Sequence, residues 1–340
     1  AEPRGQDDDD LETSSGDVLI PTPSHPTPGL HRLQAERAAL VERVRGAPLD
    51  AAGYRALGEF FRQVEDFERG ALMLEIADAL EGRTRSESAA PRLILSATDR
   101  AGLRHPALRR EDGELLSIAG TALCAAWGPR PARQLPDEDF GLESGRGAEA
   151  AAEALLSAVR ILGLPAPTVL VSTESGPPFS LVFAEGAPHL LVGRAALRRE
   201  LPEAELRFFA GRALFMQSPD LMVLRTLDRS RLGSGLGALA SVVHEERSLT
   251  AEALALRDAL PVRALRRIEE LLPNASRPFP IQKLADAARH SANRAGLVVC
   301  GGVAPALAAL KAKKALESEV LELVRFAASE RYLQIRLRIA

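Results

Sequence analysis

The sequence predicts a mainly helical chain that carries one small β-sheet, an α+β arrangement in which helices supply most of the core. Three observations predict it. Aromatic residues make up only 4% of 340, so Leu and Ala must do most of the packing, and both favour helices. From Leu30 onward, apolar residues recur mostly at helical spacing. Between residues 167 and 193 the pattern changes to short apolar runs separated by Gly and Pro, which reads as strands.

Residues 1–29 combine the acidic run Asp7–Asp10 with Pro21, Pro23, Pro26 and Pro28, and hold one short apolar cluster, Val18–Ile20. Such a segment cannot bury enough apolar surface to offset its chain entropy, so an extended linker is expected, with Val18–Ile20 the one stretch able to dock as a short strand. A helical segment should occupy 30–130. Within it, helices are expected over 30–46, in a pair across 51–83 and over 114–127, with 84–113 a loop holding short helical pieces. A Pro-, Gly- and acid-rich linker at 131–147 leads to a second domain at 148–340. That domain opens with a helix at 148–162, ended by Gly163 and Pro165. Strands follow at 167–172, 179–184 and 189–193, and Pro202 suits the first turn of the next helix. Further helices are expected at 219–230, 235–247, 250–259, 261–272, 280–295, 303–315 and 317–338.

Residues 51–83 read AAGYRALGEFFRQVEDFERGALMLEIADALEGR. Tyr54, Leu57, Gly58 and Phe61 fall at the large, Leu, Gly and aromatic positions of one helix, and Gly70, Leu74 and Ala77 at the small, bulky and Ala positions of the next. On these residues the segment resembles one tetratricopeptide repeat, and Pro48, one repeat length before Gly82, gives 30–46 the look of half a preceding one. A small residue on one helix lets a bulky one from its partner approach closely, which any helical hairpin also needs. One repeat and a fraction cannot bury its own face. The resemblance therefore implies packing on the C-terminal domain or continuation into further repeats, as at one end of a larger multi-repeat chain or complex.

Residues 205–216 read ELRFFAGRALFM, and RHSANRAG follows at 289–296. Glu205, Leu206, Ala292, Arg294 and Gly296 match the frame of the CAAX-protease and HtpX zinc peptidases, in which a helix E-L-x-x-x-L-x-H-E-x-x-H precedes E-x-x-A-D-R-x-G. Over 147–340 the chain thus resembles a gluzincin-type metallopeptidase with its ligands replaced. The resemblance puts Arg212 and Met216 where two zinc-binding His would stand, Ala213 at the general base, Arg289 at the third ligand and Asn293 at the Asp. Two His at i and i+4 share a helix face and give neutral imidazoles to Zn2+, and the Glu between them is the base. Arginine stays protonated, Met offers a soft thioether better suited to Cu(I), and Ala213 has no proton acceptor. Catalysis by that route is excluded, and no metal or cofactor is expected. Without the peptidase frame, Leu206, Phe209, Ala210, Ala213 and Leu214 form an ordinary core stripe.

Other chemistry is weakly signalled. The net charge is −3, with seven acids against one Arg in residues 1–30, and nothing basic enough to suggest nucleic acid as a partner. Of 43 basic residues only Lys283, Lys311, Lys313 and Lys314 are lysines. Lys311, Lys313 and Lys314 read as a solvated helix face, as do Arg198–Arg199 and Arg263, Arg266 and Arg267. Cys124 and Cys300 fit neither a disulfide framework nor a metal cluster, which favours a reducing, cytoplasmic setting. No run of eighteen apolar residues predicts a membrane span. His244-Glu245-Glu246 has Ser248 where a second ligand is required, and Gly233–Gly237 reads as a turn between helices rather than a phosphate loop. His105, before Pro106, reads as a turn residue, and His290 should point about 100° away from the Arg289 direction. The expected function is a non-catalytic protein-interaction or scaffold subunit binding protein partners, with Arg212 and Arg289 converging on a carboxylate such as Glu205 or one from a bound peptide. The alternative is a hydrolase whose metal site is assembled from His244, His290 and distant acids.

Overall fold

The structure, a computed structural model, describes residues 28–83, 91–92, 94–129, 136, 138–142, 148–172, 176–198, 200–244 and 248–339. The acidic segment with Asp7–Asp10 and Val18–Ile20, most of the 131–147 linker, Arg199 and the Glu245–Glu246 pair lie outside the described residues. Helices α1 (Pro28–Gly46), α2 (Ala51–Gln63) and α3 (Phe67–Leu80) lead through α4 (Ala97–Leu103) and a 3-10 turn at Pro106–Arg109 to α5 (Glu111–Trp127). Helix α6 (Glu149–Leu162) precedes strands β1 (Thr168–Val171), β2 (Phe179–Ala184) and β3 (Ala187–Val192). Then come α7 (Arg194–Leu197), α8 (Glu203–Phe215), α9 (Pro219–Thr226), α10 (Arg229–Val243), α11 (Ala251–Ala259) and α12 (Val262–Leu271). The chain closes with α13 (Ile281–Cys300), α14 (Val303–Ala312), α15 (Glu317–Ala327) and α16 (Glu330–Ile339). It is mostly helical with one small mixed sheet, as the sequence predicts.

Helix ends follow local chemistry. Asp50 and Asp66 accept backbone hydrogen bonds at the starts of α2 and α3, Ser96 and Asp99 form a reciprocal cap on α4, and Gly163 and Gly301 end α6 and α13 in the left-handed region. In the α2–α3 hairpin, a Cβ on Gly58 would sit 2.9 Å from Leu74 and one on Gly70 3.0 Å from the Gly58 carbonyl, so the two glycines set how closely the helices cross. Tyr54, Leu57, Phe61 and Ala77 are buried and Leu74 is half-buried. The face of α3 turned away from α2 packs on α14 and α16. There the Glu75 carboxylate accepts from the Val303 N–H at 2.8 Å and pairs with Arg336 at 2.5 Å. Of the two ways to cover the hairpin, contact with the C-terminal helices is the one seen among the described residues.

The sheet runs β1-β3-β2, with β3 parallel to β1 and antiparallel to β2. A two-residue turn joins β2 to β3, and both of its residues, Glu185 and Gly186, have positive φ, the conformation that matches the strand twist. The outer edge of β1 is covered by the chain's own Glu138–Phe140, through Phe140 N–H to Val169 O and Val171 N–H to Glu138 O, both 2.9 Å. One continuous buried cluster links the hairpin, α5, the sheet and the last helices.

Three expected boundaries change. Gly233–Gly237 is not a turn but lies inside α10, where Gly235 fits against Leu123 and Trp127 of α5. The helix expected at 280–295 does not stop before Gly296, because α13 continues to Cys300. The expected helix 317–338 is two, α15 and α16, broken at Ala328–Ser329, where the Ser329 hydroxyl donates to Phe326 O at 2.6 Å.

Candidate functional site

Helices α8 and α13 form the most intimate helix pair outside the hairpin, and two glycines explain it. A Cβ on Gly211 would meet Val299 at 2.7 Å, and one on Gly296 would meet the Phe208 carbonyl at 2.8 Å. Backbone contact at this crossing turns the middle of both helices inward. Ala213, Met216, Ala292 and Asn293 are buried, and Arg212 and Arg289 are partly so.

A polar chain crosses this interface. Arg212 donates through Nε to Asn293 Oδ1 at 2.9 Å, and Asn293 Nδ2 donates to Glu319 Oε2 at 2.9 Å. Lys313 Nζ donates to the same carboxylate oxygen at 2.6 Å. The amide orientation of Asn293 is dictated by its neighbours, since guanidinium can only donate and carboxylate can only accept. Burial lowers the pKa of Arg212, with Glu319 opposing and the charges of Arg225 and Arg289 reinforcing it. Burial alone would raise Glu319, but hydrogen bonds from Lys313 and Asn293 and the charges of Lys313 and Arg212 hold it below the usual carboxylate range. Lys313 is lowered by burial and by Arg212, against the pull of Glu319.

Arg212 and Arg289 therefore stand in one neighbourhood, close enough to repel, but they share no ligand. Arg289 pairs with Asp286 on its own helix, and its Nε is enclosed without a partner. Glu205 has no ion-pair partner among the described residues, and burial raises its pKa. The carboxylate that joins Arg212 is Glu319, on α15, which sequence reasoning missed. Lys313, expected on a solvated face, is in fact drawn into the network. Arg225 on α9 was also missed. It donates through Nε to Leu181 O of β2 at 3.1 Å. With Ala184 and Ala187 closing the two-residue turn, alternate β2 residues bond to β3, so the Leu181 carbonyl points to the outer edge, where Arg225 covers it. Phe179 and Leu181 are buried, so strand addition has little free edge on either side of the sheet.

The adjoining face of α13, about 100° round, carries a separate network. Arg294 pairs with Glu322 of α15 and lies 4.6 Å over the Phe326 ring. His290 Nδ1 is 3.4 Å from Glu322 Oε2, turned away from Arg289 as helix geometry requires, and its ring stands 5.6 Å from that of His105. Burial works to raise Glu322, but the Arg294 charge and the His290 and Arg294 hydrogen bonds bring it down to about 2. His105 is indeed at a turn, its Nδ1 accepting from the Ala107 N–H at 3.3 Å, and its own N–H donates to Ser291 Oγ at 2.8 Å. Arg104 pairs with the fully buried Asp220. These contacts tie the α4–α5 region to α9, α13 and α15, which is a structural role.

Neither thiol is set up as a nucleophile, because burial pushes Cys124 up to about 11 and Cys300 up to about 12. His244 caps the end of α10, on a different element from His290. Among the described residues no three His, Cys, Asp or Glu side chains gather at metal-binding spacing, and no helix is long and apolar enough to cross a membrane. Two open depressions, of about 500 and 350 Å³, lie around α10–α12, lined by residues such as Val242, Leu265 and Trp127, and neither contains the polar chain. At the α8–α13 crossing Arg212 and Arg289 keep donors with no partner among the described residues, and that chemistry makes it the candidate site. No family model, curated protein or solved structure matches the chain.

Proposed function

We propose that this chain is a non-catalytic protein-interaction or scaffold subunit, built on a gluzincin-like domain that has lost its metal and on a tetratricopeptide-like hairpin. The observation that carries the reading is the hydrogen bond from Arg212 to Asn293, with Lys313 and Glu319 behind it. A dication at those positions would face Arg212, Arg289 and Lys313 at once, and each of them is a permanent or strongly held positive charge. Glu319 is already engaged by Lys313 and Asn293, so no free carboxylate remains in the network to serve as base or ligand. Stability comes instead from the Gly211–Gly296 crossing and the buried Leu206, Phe209 and Leu214, so the fold has no need of the metal.

Partner binding is best supported at the turn of the hairpin, where Val64 and Phe67 are exposed apolar side chains, and at the partly buried Arg212 and Arg289 of α8 and α13. The rival reading is a hydrolase with an unrecognised metal site. Elemental analysis of the purified chain separates the two: zinc far below one per chain is expected, whereas about one tightly held zinc per chain would overturn the non-catalytic reading.

A further inference from the structure

Helix α12 leaves part of its apolar surface uncovered. Val262 is 67% exposed, and with Leu249 and Leu265 it lines the depression of about 500 Å³ between α10, α11 and α12. The second depression, with Trp127 on its wall, meets the first at Leu249, so together they make a groove longer than either. The charged groups along the first are Arg257, Arg266 and Glu269. Arg257 pairs with the neighbouring Asp258, and Arg267 with Glu114 and Glu270. Arg266 and Arg263, one turn before it, have no ion-pair partner among the described residues. An occupant suited to this surface carries aliphatic side chains next to carboxylates. The sequence before α1 holds such a stretch, Asp17-Val18-Leu19-Ile20, preceded by Glu12 and the run Asp7–Asp10.

We propose that residues 7–20 dock in this groove on their own chain, with Val18–Ile20 against Leu249, Val262 and Leu265 and the acids toward Arg263 and Arg266. The order of the groups agrees. Asp17 adjoins Val18, and Arg266 lies one helical turn from Val262 on the same face of α12. A few aliphatic side chains and exposed ion pairs hold separate molecules together only weakly. Tethering changes the balance, because a linked segment meets its site at an effective concentration in the millimolar range, which favours a chain's own segment over that of a second copy. The tether, residues 21–27 with Pro21, Pro23 and Pro26, spans up to about 25 Å between Ile20 and Pro28. The proposal does not depend on the peptidase-like reading of α8 and α13.

The test is saturation-transfer NMR with an amidated synthetic peptide of residues 7–20, read on its Val, Leu and Ile methyl signals. It is titrated into three forms of the full chain: the wild type, a Val18→Asp, Ile20→Asp variant whose own segment is disabled, and that variant with Val262→Asp and Arg266→Glu added. Val262 and Arg266 are exposed, so the added changes leave the core packing intact, and circular dichroism confirms folding. Binding about fivefold tighter to the segment variant than to the wild type is expected, because the wild type's own segment competes. The groove changes should then weaken it about tenfold or more. Equal affinity for the wild type and the segment variant means a groove open to some other partner, and overturns the proposal. No binding to the segment variant, or binding that survives the groove changes, overturns it as well. Competition that appears only when the wild type is concentrated enough to sediment as a dimer gives the segment to a second copy and also overturns it.

Discussion

Replacing Glu319 by Ala should destabilise the protein by roughly 3–5 kcal/mol, the cost of leaving buried charge uncompensated. Glu319 is 5% exposed, and its carboxylate is the acceptor for both Asn293 and Lys313. Without it Lys313 and Arg212 face each other across Asn293, two positive charges whose pKa values are already depressed. Glu319→Gln keeps a polar oxygen but not the charge, and should lose less. The pH dependence has a definite sign. The folded-state pKa of Glu319 lies below its ordinary 4.5, so its stabilisation is present above that value and is lost as the pH falls through the lower, folded one. Urea titrations of the wild type and both variants at neutral and acid pH measure these differences. A loss under about 1 kcal/mol for Glu319→Ala would mean that the network contributes little.

Gly120→Ala is expected to cost about 3 kcal/mol, near the upper end of overpacking. A Cβ at Gly120 would stand 2.3 Å from the Pro219 carbonyl oxygen and 2.7 Å from its carbon. These are backbone atoms at the start of α9, so no flexible side chain can swing aside. Helices α5 and α9 would have to separate next to the buried Asp220 that anchors Arg104. Gly237→Ala is the matched control: Gly237 sits in α10 with nothing within 4 Å of the added carbon, so the same change should be neutral or stabilising by up to about 1 kcal/mol through helix propensity. Thermal or urea unfolding reads both, and equal effects at the two positions would contradict the packing argument.

Local chemistry made much of the fold legible. Gly and Pro between short apolar runs marked the three strands, and Pro202 marked the start of α8. Lone glycines misled where tertiary packing outweighed helix propensity: Gly235 looks like a breaker until Leu123 and Trp127 are seen to occupy the space it leaves. The helix expected to end at 295 runs on for the same reason, since Gly296 is a contact for Phe208 within a continuous helix. At the site, Arg212, Ala213, Met216, Arg289 and Asn293 were all flagged by pattern, and the structure joins Arg212 to Asn293 directly. Glu319, Lys313 and Arg225 carried no signal, because each comes from another helix and each looks like an ordinary solvated charge in its own segment. A carboxylate near a helix start and a lysine near a helix end are common, and only the three-dimensional crossing of α13 with α8 and α15 gives them a shared function.

The reading of α8 and α13 as the frame of a lost metal site is tested most directly by returning the ligands. Arg212→His, Met216→His and Arg289→Glu in one variant would remove two positive charges and supply three zinc donors from the same two helices. Circular dichroism confirms folding, and zinc is titrated in competition with a chromophoric chelator. Binding of about one zinc per chain at submicromolar affinity, absent in the wild type, is the expected result. A folded variant that binds no zinc would show that the three positions do not converge as a metal site requires, and would contradict the proposal of a degenerate peptidase.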